Sequence, residues 1–232
     1  MPRSVQTHRT QQSGLHRLDL SLQTPKMCVL GAGPKTRPTA HKNFPFYIRY
    51  TFFMFSSSKK LSKLKPIASH PNPIHSGVDI GHVHLKTANI QKIHDFYVGI
   101  LGFDVVARMP TALFLSAGGY HHHLAFNTWE SEGGTPPPPG TTGLYHVAIR
   151  YPTRAALGDA LHRLKNANWP LEGVNDHGTH EALYLRDPDD NGLELYWDRP
   201  EEEWPLDKDG HLALAGGKQL DILELLKEGR ED

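Results

Sequence analysis

His82 and His84 stand two residues apart in Ile80-Gly81-His82-Val83-His84-Leu85, and the chain later repeats that phrase as Tyr145-His146-Val147-Ala148-Ile149. Residues two apart on an extended strand share a face, so both imidazoles lie opposite Val83 and Leu85. A dry apolar surroundings would make them costly, and that face is therefore read as looking into a polar cavity or solvent. Glu194 poses the sharper problem. It interrupts Leu193-Glu194-Leu195-Tyr196-Trp197, and a carboxylate in so apolar a strand needs a cation or a salt bridge. The corresponding run of the first repeat is His123-Leu124-Ala125-Phe126-Asn127, which aligns His123 with Glu194. Two imidazoles and one carboxylate with open positions suit iron(II) in oxygen chemistry, and Mn or Zn as well. The plain alternative is hydrogen-bonded core histidines with Glu194 paired to an arginine such as Arg186.

The elements that must position these groups repeat in the same order. In the first module, residues 78–128, a strand over Ile80–Lys86 precedes a helix capped by Asn89, with Ile90, Ile93, Phe96, Tyr97, Ile100 and Leu101 at three- and four-residue steps. Strands are predicted at Phe103–Arg108, Ala112–Ala117 and His122–Asn127, with His121 and His123 on one side of the last and His122 opposite. A proline-rich linker, residues 130–142, leads to the second module, residues 143–198. There a strand over Gly143–Arg150, a helix capped by Thr153, and strands at Leu171–Asn175, Glu181–Arg186 and Leu193–Trp197 follow, the last two joined by the turn Asp187–Gly192. Both modules read β-α-β-β-β. The fold class is α+β, with the two paired modules forming a half-open β-barrel around a metal site. After it, residues 201–232 form a tail whose helix, Leu220–Lys227, covers the body or a partner subunit.

Charge divides the chain. Residues 1–77 hold twelve Lys/Arg against the single acid Asp19, a balance of +11 that the rest of the chain cancels. Poor in periodicity and rich in Ser, Thr, Pro and Gln, this extension is read as disordered, with Phe44–Phe55 as its one apolar stretch. That stretch is too short to span a bilayer, and no basic–aromatic platform for nucleic acid is present. The single Cys28 fits a reducing compartment. A cytoplasmic location is expected, or a mitochondrial one if the extension is a transit segment; Met54 could also begin a shorter chain.

Residues 78–200 resemble the vicinal oxygen chelate superfamily, which includes glyoxalase I, fosfomycin and bleomycin resistance proteins and extradiol dioxygenases. The carriers are Ile80-Gly81-His82-Val83, the segment Phe96–Phe103, and Asp187–Glu194. Gly118–His123 and Asn127-Thr128-Trp129 add a likeness to catechol 2,3-dioxygenase-like proteins. The resemblance implies metal ligands at His82, His146 and Glu194, most readily for Fe(II), with Mn, Zn or Ni as other ions. It further implies O2 and a small aromatic substrate with vicinal oxygens; a homodimer is compatible with it. Glyoxalase I carries a glutamate where His123 was aligned, which weakens an isomerase reading and leaves His123 either a fourth ligand or an acid/base beside the metal. His177 and His180 are further candidates for proton transfer. Tyr184 and Tyr196 either donate hydrogen bonds to substrate oxygens or serve as strand packing, and Phe114, Phe126, Trp129 and Trp197 either wall a ring pocket or belong to the core. Three functions follow: an extradiol dioxygenase first, a glyoxalase-type isomerase or lyase second, a non-catalytic binder of a planar ligand third.

Overall fold

The computed structural model describes residues 64–214 and 216–229. They all fall in one compact unit, Ser56–Asp232. The expectations for Cys28, Met54 and Phe44–Phe55 lie outside the described residues, and residues 64–82 contain no helix or strand.

The first module contains β1 (Val83–Lys86), α1 (Ile90–Tyr97), β2 (Asp104–Met109), β3 (Ala112–Ser116) and β4 (Leu124–Asn127). The second contains β5 (Val147–Arg150), α2 (Arg154–Asn166), β6 (Gly173–Asp176), β7 (His180–Arg186) and β8 (Gly192–Asp198). A short 3-10 turn at Glu201–Glu203, the two-residue strand β9 (Lys218–Gln219) and α3 (Ile222–Glu228) follow. Both expected helix caps form: Asn89 Oδ1 accepts from the amides of Gln91 and Lys92, and Thr153 Oγ1 from that of Ala156. Two first-strand expectations ran long at their N-terminal ends, because Ile80–His82 and Gly143–His146 precede the residues that find a ladder partner. His121–His123 likewise lie in the loop before β4, not on it.

Each module builds its own mixed sheet, ordered β1-β4-β3-β2 and β5-β8-β7-β6-β9. The helix after each first strand carries the chain across, so β1 and β4, and β5 and β8, run parallel while the other pairs are antiparallel. β1 and β5 each end their own sheet, so the two sheets are not joined into a closed barrel.

One core serves both modules. Ile93, Phe96 and Tyr97 of α1, Leu157, Leu161 and Leu164 of α2, and Leu113, Leu115, Phe126, Leu183, Leu185, Leu193 and Leu195 of the strands form a single buried cluster. Phe96 meets Trp169 with ring centroids 4.5 Å apart, and the Tyr97 hydroxyl donates to Asp187 across the module boundary. On the second sheet the leucines take the core side. Alternation therefore sends Glu194, Tyr184 and Ala148, which sit abreast in the register, to the other face.

Helix α3 covers the body, docking on α2. Buried Leu225 enters the core, and His162 Nε2 lies 2.7 Å from the Leu226 carbonyl. Gly158 makes the approach feasible, since a Cβ there would stand 2.6 Å from Leu225 O and 2.8 Å from Gly229 N. Gly158→Ala is therefore expected to push α3 away at a cost of about 1–3 kcal/mol, the usual range for overpacking. A urea melt of the variant checks this, together with faster hydrogen exchange confined to α2 and α3.

Candidate metal centre

Glu194 lies mid-strand in β8 between Leu193 and Leu195 and is only 7% exposed. Its carboxylate is met from three elements. His146, just before β5, places Nε2 3.0 Å from Oε2; His180, the first residue of β7, places Nε2 3.0 Å from Oε1; and the Tyr184 hydroxyl donates to Oε1 at 2.9 Å. The arginine alternative is not realised, because Arg186 Nε donates to both oxygens of Glu172 instead. Among the described residues no lysine or arginine pairs with Glu194.

His177 completes the group. Its Nε2 is 2.9 Å from the Tyr184 hydroxyl and its ring stacks on His180 at 4.7 Å between centroids. One ligand atom each from His177, His180 and Glu194 lies within 4.8 Å of the others, a His-His-Glu group. The β6–β7 hairpin brings both imidazoles there. Its tip turns at Gly178, where φ is +77°, with Asp176 Oδ1 accepting the Gly178 amide and the His177 amide donating to the His180 carbonyl. Burial, then the hydrogen bond to Glu194, pushes the Tyr184 pKa well up, so the phenol stays a donor. A buried carboxylate faced by neutral-capable imidazoles and a phenol, without a fixed cation, is a donor set that fits a divalent metal ion.

The other expected site residues are placed as follows. His82 sits beside His122 and His121, at 4.4 and 6.4 Å between ring centroids, and belongs to neither metal-competent group of three found among the described residues. The structure thus brings His146 and Glu194 together and leaves His82 in a histidine cluster of the first module. Desolvation, followed by the neighbouring His82, His121 and His84 rings, draws the His122 pKa down. His84 contacts Asn127 at 2.9 Å and packs near Phe114 and exposed Trp129.

His123 does not stand where it was aligned. Val83 pairs with Leu124 as Val147 pairs with Leu193, so the residue level with Glu194 is Ala125, and His123 is level with Gly192. The cause is the start of β4 at Leu124: His123 precedes the strand, and its Nδ1 faces Ser116 Oγ and accepts from the Ala117 amide, each at 3.3 Å. The first module thus offers no carboxylate equivalent to Glu194. Phe126 is fully buried in the core, whereas Tyr196 puts its ring 5.5 Å from His180.

A cavity of about 400 Å³ opens nearby, lined by residues that include Tyr145, His146, Asn175, Tyr184, Arg186 and Gly192; of the side chains that meet the Glu194 carboxylate only His146 and Tyr184 lie on its wall. The second group of possible ligands, Asp207, Asp209 and His211, forms a surface turn in which Asp207 Oδ1 already accepts the Asp209 and His211 amides. Sequence reasoning missed the residues behind the hairpin, Asp176, Glu181 and Arg199. Their only signal is alternation, which turns Glu181 away from the face of His180.

A family model, described as Glyoxalase/Bleomycin resistance protein/Dioxygenase superfamily, matches residues 79–195. A catechol-2,3-dioxygenase from Bacillus subtilis (strain 168) is 36% identical over 159 residues, covering 68% of this chain and 55% of that protein. A biphenyl-2,3-diol 1,2-dioxygenase 3 from Rhodococcus globerulus is 32% identical over 126 residues, covering 53% of this chain and 66% of that protein. The chain thus spans little more than half the length of the first and just under two thirds of the second. A solved glyoxalase/dioxygenase from Nostoc punctiforme overlaps 57% of this chain and 100% of its own, at 17% identity and a TM-score of 0.45. With its repeated β-α-β-β-β modules and the match over residues 79–195, the chain belongs to the glyoxalase/bleomycin resistance protein/dioxygenase superfamily.

Proposed function

We propose that the chain is a divalent-metal enzyme of the extradiol type, opening the ring of a catechol-like aromatic with O2 and using Fe(II). The observation that carries this reading is Glu194, a buried carboxylate ringed by imidazoles and one phenol with no lysine or arginine paired to it among the described residues. Relatives named for catechol and biphenyl-diol dioxygenase activity support the substrate class. When bound, such an ion supplies Lewis acidity toward a vicinal diol and a template for two reactants.

His180 and Glu194 would hold the ion together with His146, whose Nε2 lies 3.0 Å from the other carboxylate oxygen although His146, like His82, stands outside the 4.8 Å group. The resemblance adds His82, which precedes β1 at the position His146 holds before β5. Tyr184, kept protonated, donates a hydrogen bond at the carboxylate or at a substrate oxygen. With Tyr184 donating to Glu194, His177 Nε2–H donates to that hydroxyl, so His177 is the imidazole positioned to give a proton toward the site and take it back. The neighbouring cavity of about 400 Å³ accommodates a single substituted ring. Ala125 at the Glu194-equivalent position argues against an isomerase, which needs a second carboxylate as base.

The test is anaerobic purification, metal analysis, and addition of catechol in an oxygen electrode. Stoichiometric iron, oxygen uptake and a yellow ring-opened product are expected. Nickel or zinc with turnover of a thiol adduct would replace this reading by the isomerase. Aromatic binding without any metal would reduce the chain to a binder. In parallel, iron titration of His82→Ala and His180→Ala separates the two candidate third ligands: the one whose loss weakens binding more completes the site with His146 and Glu194.

A further inference from the structure

Asp176 and Glu181 are register partners at the end of the β6–β7 hairpin and therefore share one face of the sheet. It is the face opposite His180, and Glu181 is only 3% exposed there. Two carboxylates placed side by side repel, and directly opposed like charges weaken a strand pair. Arg199, immediately after β8, resolves the conflict. Its Nε and Nη2 donate to the two oxygens of Asp176 at 3.2 and 2.9 Å, and Nη2 also donates to Glu181 Oε1 at 2.7 Å. The Arg199 amide donates to the Thr179 carbonyl at 2.9 Å, tying the backbone of the hairpin tip as well. Glu181 Oε2 is taken from the other side by Arg154 Nε at 2.6 Å.

We propose that Arg199 is a positioning residue for the site: by joining Asp176 to Glu181 behind the hairpin, it holds the His177 and His180 rings in place at Glu194. The coupling is short. His177 follows Asp176 and His180 precedes Glu181, so each clamped carboxylate is one residue from an imidazole on the front face. A planar guanidinium bridges both carboxylates at once, which a lysine's compact charge does not do. Without it, the repelling pair would part and the hairpin tip would tilt, moving the two rings relative to a Glu194 fixed in the middle of its own strand.

This inference rests on the metal reading of the group, and its test separates the two. Metal-free full-length chain is titrated with Co(II), following the visible absorbance of the bound ion, and hydrogen–deuterium exchange is measured on the metal-free protein. Arg199→Ala is expected to weaken Co(II) binding by roughly 10- to 100-fold, the effect typical of losing a partner behind a ligand. Exchange should rise in residues 173–186 and stay unchanged in α1 and β2. Asp176→Ala/Arg199→Ala is expected to recover much of the affinity, because the repulsion is gone, while Lys86→Ala, which breaks the exposed pair with Glu130, changes neither readout. Unchanged Co(II) affinity in Arg199→Ala, exchange rising throughout the domain, or a double variant as weak as the single one would each overturn the proposal. If the unmodified chain binds no Co(II), the metal reading falls, and the clamp stands or falls on the local exchange alone.

Discussion

Glu194→Ala is expected to abolish stoichiometric metal binding and with it ring-opening activity, a loss beyond the roughly 10- to 100-fold produced by removing a group that only supports a ligand. Three neighbours converge on this carboxylate, so it is the hub through which His146, His180 and Tyr184 share one location. Glu194→Gln makes the argument sharper. The amide keeps the size and one acceptor oxygen but removes the negative charge, so Tyr184 retains a hydrogen-bond partner while the ion loses its anionic ligand. Metal content of purified protein and Co(II) titration read this directly. If Glu194→Gln retains full metal affinity, Glu194 is a structural carboxylate and the site lies elsewhere. Folding should survive both changes, because the side chain is on the face of the sheet opposite the leucine core.

How this site could be read from the chain depends on the range of the interactions involved. The helix caps at Asn89 and Thr153 and the turn from Asp187 to Gly192 are local chemistry, decided within a few residues, and they form as the sequence suggests. Glu194 was also legible, since a carboxylate between two leucines in an apolar strand announces a need for a partner. Of its partners the resemblance named His146, but that His180 and Tyr184 meet the carboxylate was not legible. His180 reaches it because β7 pairs with β8 in a register that sets Tyr184 beside Glu194 and His180 beside Asp198, a relation between strands that periodicity along one strand does not contain. The same limit explains His123. Matching the two terminal runs by their polar residue put it level with Glu194, but pairing with β1 starts β4 at Leu124 and moves Ala125 into that row. His82 met the strongest pattern of all, the repeated first strand, yet strand position alone does not say whether two separate sheets close on each other. The strand β9 carries no local signal either: two exposed residues, Lys218 and Gln219, pair with Asp176 and Asn175 only because the tail returns to the edge of β6.

Asp187→Ala is expected to destabilise the fold by about 3–5 kcal/mol, because several groups lose their acceptor in one step. Asp187 is 4% exposed. Its Oδ1 accepts the Asp189 and Asn191 amides, each at 2.9 Å, and Oδ2 accepts the Asn191 side-chain amide and the hydroxyl of Tyr97. Tyr97 has no access to water, so truncation leaves its hydroxyl buried and unpaired, and the turn leading into β8 and Glu194 loses its brace. Adding Tyr97→Phe removes the orphaned hydroxyl, and the double variant should be less destabilised than the sum of the single changes. The pH dependence has a definite sign. Burial raises the Asp187 pKa, with the amide and Tyr97 hydrogen bonds opposing it, so the folded chain binds that proton more tightly than the unfolded one. This residue's contribution is therefore largest below its unfolded pKa and declines as pH rises through the folded one. Asp187→Asn has no such proton, and its stability relative to the unsubstituted chain should improve as pH rises from the acid side toward neutrality. Urea melts of both proteins across that range measure the difference; a constant offset at every pH would mean that Asp187 ionises alike in the folded and unfolded chains.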